Sequence, residues 1–428
     1  MNISFSLLSL LVFTIPLSIV TGPFLPDLSI IFAILLYFYL VFKKEMKIKF
    51  NLYLIISLMF FSLIILSFAI SFSENTISGG YLFYLRFSLL GLIIFSLIKH
   101  DELVLKKLYF FLTCLLFIIC CDAIFQYFIG FNFIGYEDLV ENRISGFFKT
   151  EYILGKYLFF TFVVYIYLYI KINSKLRYFF YLNFFLISFA LILSGERTSI
   201  ILFLMFITLF SLLYDKISIF KKFLLIIFIP LIIFAVIKSN PSYFDRFYPG
   251  FEISFDIFSD PSQLINMSNV YFYNNFMYYI DFFKVSLAIF NENIFFGVGP
   301  KMYRVECLDY IINYSYACST HPHNTYLQLL SETGIFTTII VFLLWLLTFF
   351  LIIKQFIFMF IFKKSYLNKN LVIFVIAYFV MLFPFLPNNS FFNNNSSILL
   401  YFPLGFFLYE ISQSQFNNKI FLKNKIIE

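Results

Sequence analysis

The chain has 428 residues, of which 62% are apolar and 12% charged, and it carries a formal net charge of +7. A soluble domain is roughly 45–50% apolar and about 25% charged, so this composition excludes a single soluble enzyme, a disordered chain and a disulfide-rich secreted module. The 69 Phe and 31 Tyr against one Trp fit the residue choice of an AT-rich coding sequence. They point to a membrane and say nothing about a ligand.

Apolar runs long enough to cross a bilayer recur along the whole chain. Twelve spans are predicted, at 4–20, 27–42, 52–72, 81–98, 108–129, 152–170, 178–194, 198–214, 222–237, 326–353, 370–386 and 396–412. The expected fold class is therefore an all-α polytopic membrane protein. Thr21-Gly22-Pro23 is a poor cleavage site and a second span follows at once, so the first run is expected to stay as an anchor rather than act as a signal peptide.

The exits of the even-numbered spans are basic. Lys43, Lys44, Lys47 and Lys49 follow span two, Lys99, Lys106 and Lys107 span four, and Lys171, Lys175 and Arg177 span six. Lys216, Lys221 and Lys222 follow span eight, Lys354, Lys363, Lys364 and Lys369 span ten, and Lys419, Lys423 and Lys425 span twelve. These 20 of the 30 basic residues place their loops and both termini on the cytoplasmic side by the positive-inside rule. They account for the positive balance without nucleic acid. The other ten comprise five Lys and the arginines Arg86, Arg143, Arg197, Arg246 and Arg304, all at or near the outer face. Lysine serves as a generic topology charge, whereas arginine suits a planar two-point grip on phosphate or carboxylate. Pairing with local Asp or Glu is the competing explanation. For Arg86 in span four and Asp122 in span five, a structural ion pair is expected.

Two outer segments are longer than turns. The first, 130–151, holds Tyr136, Glu137, Asp138, Glu141, Arg143 and Glu151. The second, 238–325, carries Pro241, Pro249, Pro261 and Pro300 among Asn, Ser, Tyr and Asp tracts, and loops of this length are usually functional or folded units. Residues 271–296 within it are expected to form an amphipathic helix on the outer leaflet. The chain thus divides into 1–237 (spans one to nine), 238–325 (a large outer loop) and 326–428 (spans ten to twelve and tail). Cys114, Cys120 and Cys121 lie inside span five as packing residues. Cys307 and Cys318 lie in the outer loop, where an oxidising compartment favours a disulfide.

Between spans seven and eight stands Ser194-Gly195-Glu196-Arg197-Thr198-Ser199, charges at a depth where they are expensive and by default functional. Further on come Arg246, in Phe244-Asp245-Arg246-Phe247, and Gly297-Val298-Gly299-Pro300 ahead of Lys301 and Arg304. That glycine segment lacks the strand–turn–helix setting of a dinucleotide site. His100 is at a cytoplasmic span end. His321 and His323 open span ten in His321-Pro322-His323-Asn324-Thr325. H-x-H with no free Cys beside it is weak evidence for metal, and no metal site or cofactor is expected. A neutral imidazole suits the work of a base, with a purely structural hydrogen-bonded role as the alternative. Asn324, Gln328 and Glu332 recur every four residues and so share one helix face. That stripe is either a helix–helix seam or the wall of a polar cleft.

These residues resemble the O-antigen ligase and O-antigen polymerase family of bacterial membrane glycosyltransferases. Leu193-Ser194-Gly195-Glu196-Arg197-Thr198 is similar to the family's S-G-x-R-T segment, and Gly297-Val298-Gly299-Pro300 to its G-x-G-P segment. His323-Asn324, followed after nine residues by Gly334-Ile335-Phe336-Thr337, fits the ligase pattern H-[NSQ]-x9-G-x2-[GTY]. The resemblance covers about 190–350.

It implies transfer of a glycan from undecaprenyl diphosphate to a lipid A–core sugar hydroxyl at the periplasmic face of the inner membrane. The partners it implies are that donor, a lipid A–core or glycan acceptor, and the lipid bilayer. No outer segment contains Asp-x-Asp to hold Mg²⁺, so arginines are expected to meet the negative charge that grows on the leaving diphosphate. The expected roles are Arg197 and Arg246 on the diphosphate with Arg304 as a third cation, and His323 on the acceptor hydroxyl. Glu196 is expected to orient Arg197, with His321, Asn324, Gln328, Arg86 and Arg143 as further binding residues. A polymerase, which joins two lipid-linked repeat units, is the nearest alternative. A transporter or flippase fits the span number but not the missing internal repeat.

Overall fold

The structure, a computed structural model, describes residues 3–48, 52–71, 82–137, 143–172, 177–215, 270–312 and 318–425, together with 222, 227 and 314. The first two predicted intervals hold α1 (Ile3–Phe13), α2 (Ile15–Ile19) and α3 (Phe24–Phe42). They are followed by α4 (Leu52–Ile70), α5 (Leu85–His100), α6 (Leu103–Ile129), α7 (Leu154–Ile172), α8 (Arg177–Leu193) and α9 (Arg197–Leu213). Beyond 270 come α10 (Val270–Glu292), the short α11 (Tyr303–Glu306), α12 (Thr325–Phe360), α13 (Lys369–Met381) and α14 (Asn394–Lys425). A helix occupies each predicted interval except 222–237, which lies outside the described residues apart from two positions, as do Pro241, Arg246 and the rest of the loop up to 269. Among the described residues there is no strand, only an isolated bridge between Phe131 and Glu137.

Five helices, α3, α4, α6, α7 and α12, are long and apolar enough to cross a membrane; α1 with α2, α8, α9 and α13 are shorter apolar helices. Their burial sorts them. The apolar windows of α3, α4 and α12 are 28% buried, against 78% for α7, so α7 is the central pillar. It is also the least hydropathic of the five, because its tyrosines point inward and spend their hydroxyls on partners. Tyr157 donates to the Pro16 carbonyl at 2.8 Å and Tyr167 to Glu410 at 2.9 Å. The lipid-facing helices carry Leu, Ile and Phe instead, which need no partner in hydrocarbon. Around α7 pack α6, α8, α9, α13 and α14, with α5 laid along α14 and α12 against α4, α10 and α13.

α12 is not one regular helix. At Gly334 the backbone turns to φ 74°, ψ −173°, and the outer segment 293–299 plugs the gap. In an unbroken helix Ile335 N–H would bond Ser331 O; here it donates to Ile294 O at 2.9 Å. The orphaned Ser331 and Glu332 carbonyls accept from Val298 N–H (3.0 Å) and Gly299 N–H (2.9 Å), and Ser67 of α4 adds a bond to Glu332 O. Irregular backbone at such a depth is tolerated only where protein re-satisfies it. The two main chains come so close that a Cβ on Gly334 would collide with the Phe295 carbonyl, and one on Gly297 with the Glu332–Thr333 peptide.

α10 turns Phe282, Val285 and Ile289 onto Val298, Met302, Tyr303 and Cys307, a small core separate from the main one. Cys307 and Cys318 are bonded, with Cα atoms 5.2 Å apart, and their loop leads directly into the histidines.

Candidate active site

Three turns meet at one end of α7. The first lies between α8 and α9. Glu196 turns its carboxylate away from Arg197 to the start of α7, accepting Gly155 N–H at 2.7 Å and Lys156 N–H at 3.2 Å, with Ser199 Oγ at 3.0 Å. Those amides are orphan donors at a helix N-terminus, the place where a carboxylate is most favourable. The expected orienting contact from Glu196 to Arg197 is thus replaced by a helix cap, although burial raises the Glu196 pKa from its ordinary value. Arg197 begins α9 with an exposed side chain. Arg143 enters from the 130–151 segment, its guanidinium 4.2 Å from the Tyr152 ring, its Nε buried without a partner and both Glu196 and Arg197 acting on its charge.

The second turn, 319–324, carries the histidines. His323 holds φ 52°, a left-handed conformation that few non-glycine residues adopt. His321 is 8% exposed and both ring nitrogens are used. Nε2 lies 3.2 Å from Asn388 O and Nδ1 3.0 Å from Thr320 Oγ1. A carbonyl only accepts, so Nε2 carries the proton and the Thr320 hydroxyl donates to Nδ1. Burial first, then His323, with Lys156 and Arg304 acting in the same direction, pushes the His321 pKa down to about 3. His323 differs. Its Nε2 is 3.3 Å from Ser319 Oγ, its ring lies against Phe282, and its second nitrogen has no hydrogen-bond partner among the described residues. Burial lowers its pKa too, so it is neutral near pH 7 with one nitrogen available. Arg304, one residue into α11, reaches Thr320 O at 3.4 Å and keeps a buried Nε without a partner.

The third turn, 382–393, joins α13 to α14 and was not marked in the sequence. Asn388 donates its N–H to His323 O at 2.7 Å, accepts from His321 and donates from Nδ2 to Thr325 Oγ1 at 3.1 Å. Its Oδ1 accepts from Lys156 Nζ at 2.9 Å, and the same ammonium reaches Ser396 Oγ at 3.2 Å. Lys156, 7% exposed, carries no motif signal in the sequence either. It looked like one polar residue in an apolar run, and only its spacing behind Gly155 at the span's outer end hinted at more.

Other expected residues are engaged elsewhere. Asn324 caps α12, accepting Tyr326 and Leu327 N–H at 2.9 and 3.2 Å and donating to Pro384 O. Gln328 donates to Glu332 (2.9 Å) and Ser390 (3.0 Å) and accepts Phe391 N–H (2.8 Å). The every-fourth-residue stripe is therefore a seam between α12 and the third turn. Glu332 is fully buried there, with the Lys301 and Tyr303 amides and Arg304 facing its carboxylate. Arg86 does not meet Asp122. It pairs with Asp27 of α3 at 3.3 Å and with Asn394 at 3.0 Å, because α3 and α14 flank α5 while α6 presents Asp122 to its own loop, on Phe133 N–H at 2.8 Å. Arg246 is outside the described residues. Among the described residues no three His, Cys, Asp or Glu side chains form a metal-holding group.

Lys156 and Arg304 thus act on His321, Arg143 and Arg197 stand at the Glu196 turn, and none of the four has a carboxylate within ion-pair distance among the described residues. A comparison with curated proteins found no match. Residues 182–342 match the family model described as O-antigen ligase, a stretch that holds the arginine turn, the glycine plug and the histidine turn. Through this region the chain is similar to the O-antigen ligase and polymerase family.

Proposed function

We propose that the protein is an O-antigen ligase-type glycosyltransferase that moves a glycan from undecaprenyl diphosphate to a lipid A–core sugar hydroxyl at the periplasmic face of the inner membrane. The observation that carries this reading is the set of cations at these turns without ion-pair partners among the described residues, together with the His323 imidazole, one nitrogen of which has no hydrogen-bond partner among them. Arg143 and Arg304 each keep a buried Nε without a partner among the described residues, a cost that an anionic substrate offsets, and the exposed Arg197 can meet the same anion. Arg197, Arg143 and Arg304 hold the diphosphate, with Arg246 as a further cation from the outer loop. As the bond from the sugar to the phosphate oxygen breaks, charge grows on the diphosphate, and preorganised guanidiniums favour that state over the ground state. The acceptor hydroxyl attacks the same sugar carbon and gives its proton to His323, which burial keeps neutral beforehand. Asn324, Gln328 and Arg86 are used up by internal bonds, while His321 supports its neighbour.

The test is transfer by the purified chain from a lipid-diphosphate-linked glycan to lipid A–core, with and without EDTA. Base catalysis is worth roughly 10²–10⁴-fold, so His323→Ala is expected to lose that much. A smaller loss reduces His323 to a positioning group. Chain extension of a lipid-linked repeat unit in place of transfer to core would identify a polymerase, and no transfer to either acceptor would end the reading.

A further inference from the structure

Arg197 and His323 sit on different elements, and nothing described so far sets their spacing. The link runs through the first turn of α7. Glu196, adjacent to Arg197, accepts the Lys156 N–H. The Lys156 side chain then runs to Asn388 Oδ1 and Ser396 Oγ. Asn388 holds both histidines through its own main chain, as acceptor for His321 Nε2 and donor to His323 O. The path consists of one covalent step and hydrogen bonds of 2.7–3.2 Å, anchored on the most buried of the long apolar helices. A packing role does not explain Lys156, since Met or Leu fills such a place without the cost of burying an ammonium on two neutral acceptors.

We propose that Lys156 and Asn388 are positioning residues that hold the histidine turn in register with the arginine turn, so that His323 and the guanidiniums act on one substrate molecule. The proposal rests on the transferase reading above. Neither residue touches the reacting atoms; each acts through the turn it fixes.

The experiment uses the full chain in lipid nanodiscs, with Lys156→Met, Asn388→Ala and the double variant. A misplacement of about 1 Å at a reacting group costs about 10²-fold in rate. Lys156→Met is therefore expected to lose kcat on that scale with the donor KM unchanged. The double variant is expected to be no worse than the poorer single one, because the two residues act as a unit. A second readout needs no activity. Diethyl pyrocarbonate modification read by mass spectrometry is expected to spare His321 in the parent and to label it in both single variants.

Unchanged kcat, multiplying losses, or unchanged protection of His321 overturns the proposal. A raised donor KM with intact kcat also overturns it and makes Lys156 a direct anion ligand. If the parent transfers nothing from lipid-diphosphate donors, the transferase reading fails on its own, and the labelling pattern still decides the coupling. If Lys156→Met does not fold, Asn388→Ala, which keeps the ammonium and its Ser396 bond, carries the same readouts.

Discussion

Gly334→Ala tests the junction between α12 and the outer segment. At φ 74°, ψ −173° the backbone is in a region essentially reserved for glycine, and a side chain there costs about 1–3 kcal/mol. The new Cβ also strikes the Phe295 carbonyl and Phe296 N, main-chain atoms that cannot swing aside. Segment 294–299 must then move, loosening the three bonds Val298–Ser331, Gly299–Glu332 and Ile335–Ile294, each with a net worth of about 1 kcal/mol. The total is on the order of 3 kcal/mol or more. Gly130→Ala supplies the control. That glycine ends α6 at φ 90° with nothing within 4 Å of its would-be Cβ, so it carries only the backbone strain of about 1–2 kcal/mol. Thermal unfolding of the purified chain in detergent should rank parent, then Gly130→Ala, then Gly334→Ala well below both, and Gly334→Ala should lose glycan transfer as well. Equal melting of the two variants, or a Gly334→Ala protein indistinguishable from the parent, would refute the close-approach account.

Four further outcomes are expected. Asn324→Ala removes both the α12 cap and the bond to Pro384 O and should lower stability by about 1 kcal/mol or more; melting with the parent contradicts the cap. The folded His321 pKa is about 3 against ~6.5 in the unfolded chain, so stability is complete above pH ~6.5 and declines as pH falls from there toward 3. His321→Gln should flatten that acid-side slope in melting scans, and an unaltered slope rules out His321 as its source. Gln328→Leu strips Glu332, Ser390 and the Phe391 amide of a partner and should cost about 1–3 kcal/mol, read by the same melts. Arg197→Lys should transfer poorly while folding normally, since a point charge lacks the bidentate grip; full activity would remove Arg197 from the diphosphate.

The helices were legible because a bilayer demands long apolar runs, and the positions of α3 to α9 follow the hydropathy closely. The three motifs were legible for a related reason. Glycine, histidine and arginine are conspicuous in a chain that is 62% apolar. What the sequence could not reveal was pairing. Arg86 has Asp27 and Asp122 at similar depths, and only the placement of α3 beside α5 selects Asp27. The stripe Asn324–Gln328–Glu332 was equally consistent with a seam and a cleft until the 382–393 turn filled its face. Lys156 and Asn388 escaped notice because an isolated Lys and an Asn-rich turn are common at membrane ends, and their meaning comes from their meeting across 232 residues.

The plug at Gly334 also bears on how relatives of this chain can vary in length. Three main-chain bonds stitch 294–299 to 331–335, so one residue inserted or deleted within either segment would put donors opposite the wrong carbonyls. Length changes should therefore be absent within 294–299 and within 331–335. A graft that exchanges outer loops between homologues to alter acceptor choice should be cut upstream of 293 and leave the remainder intact.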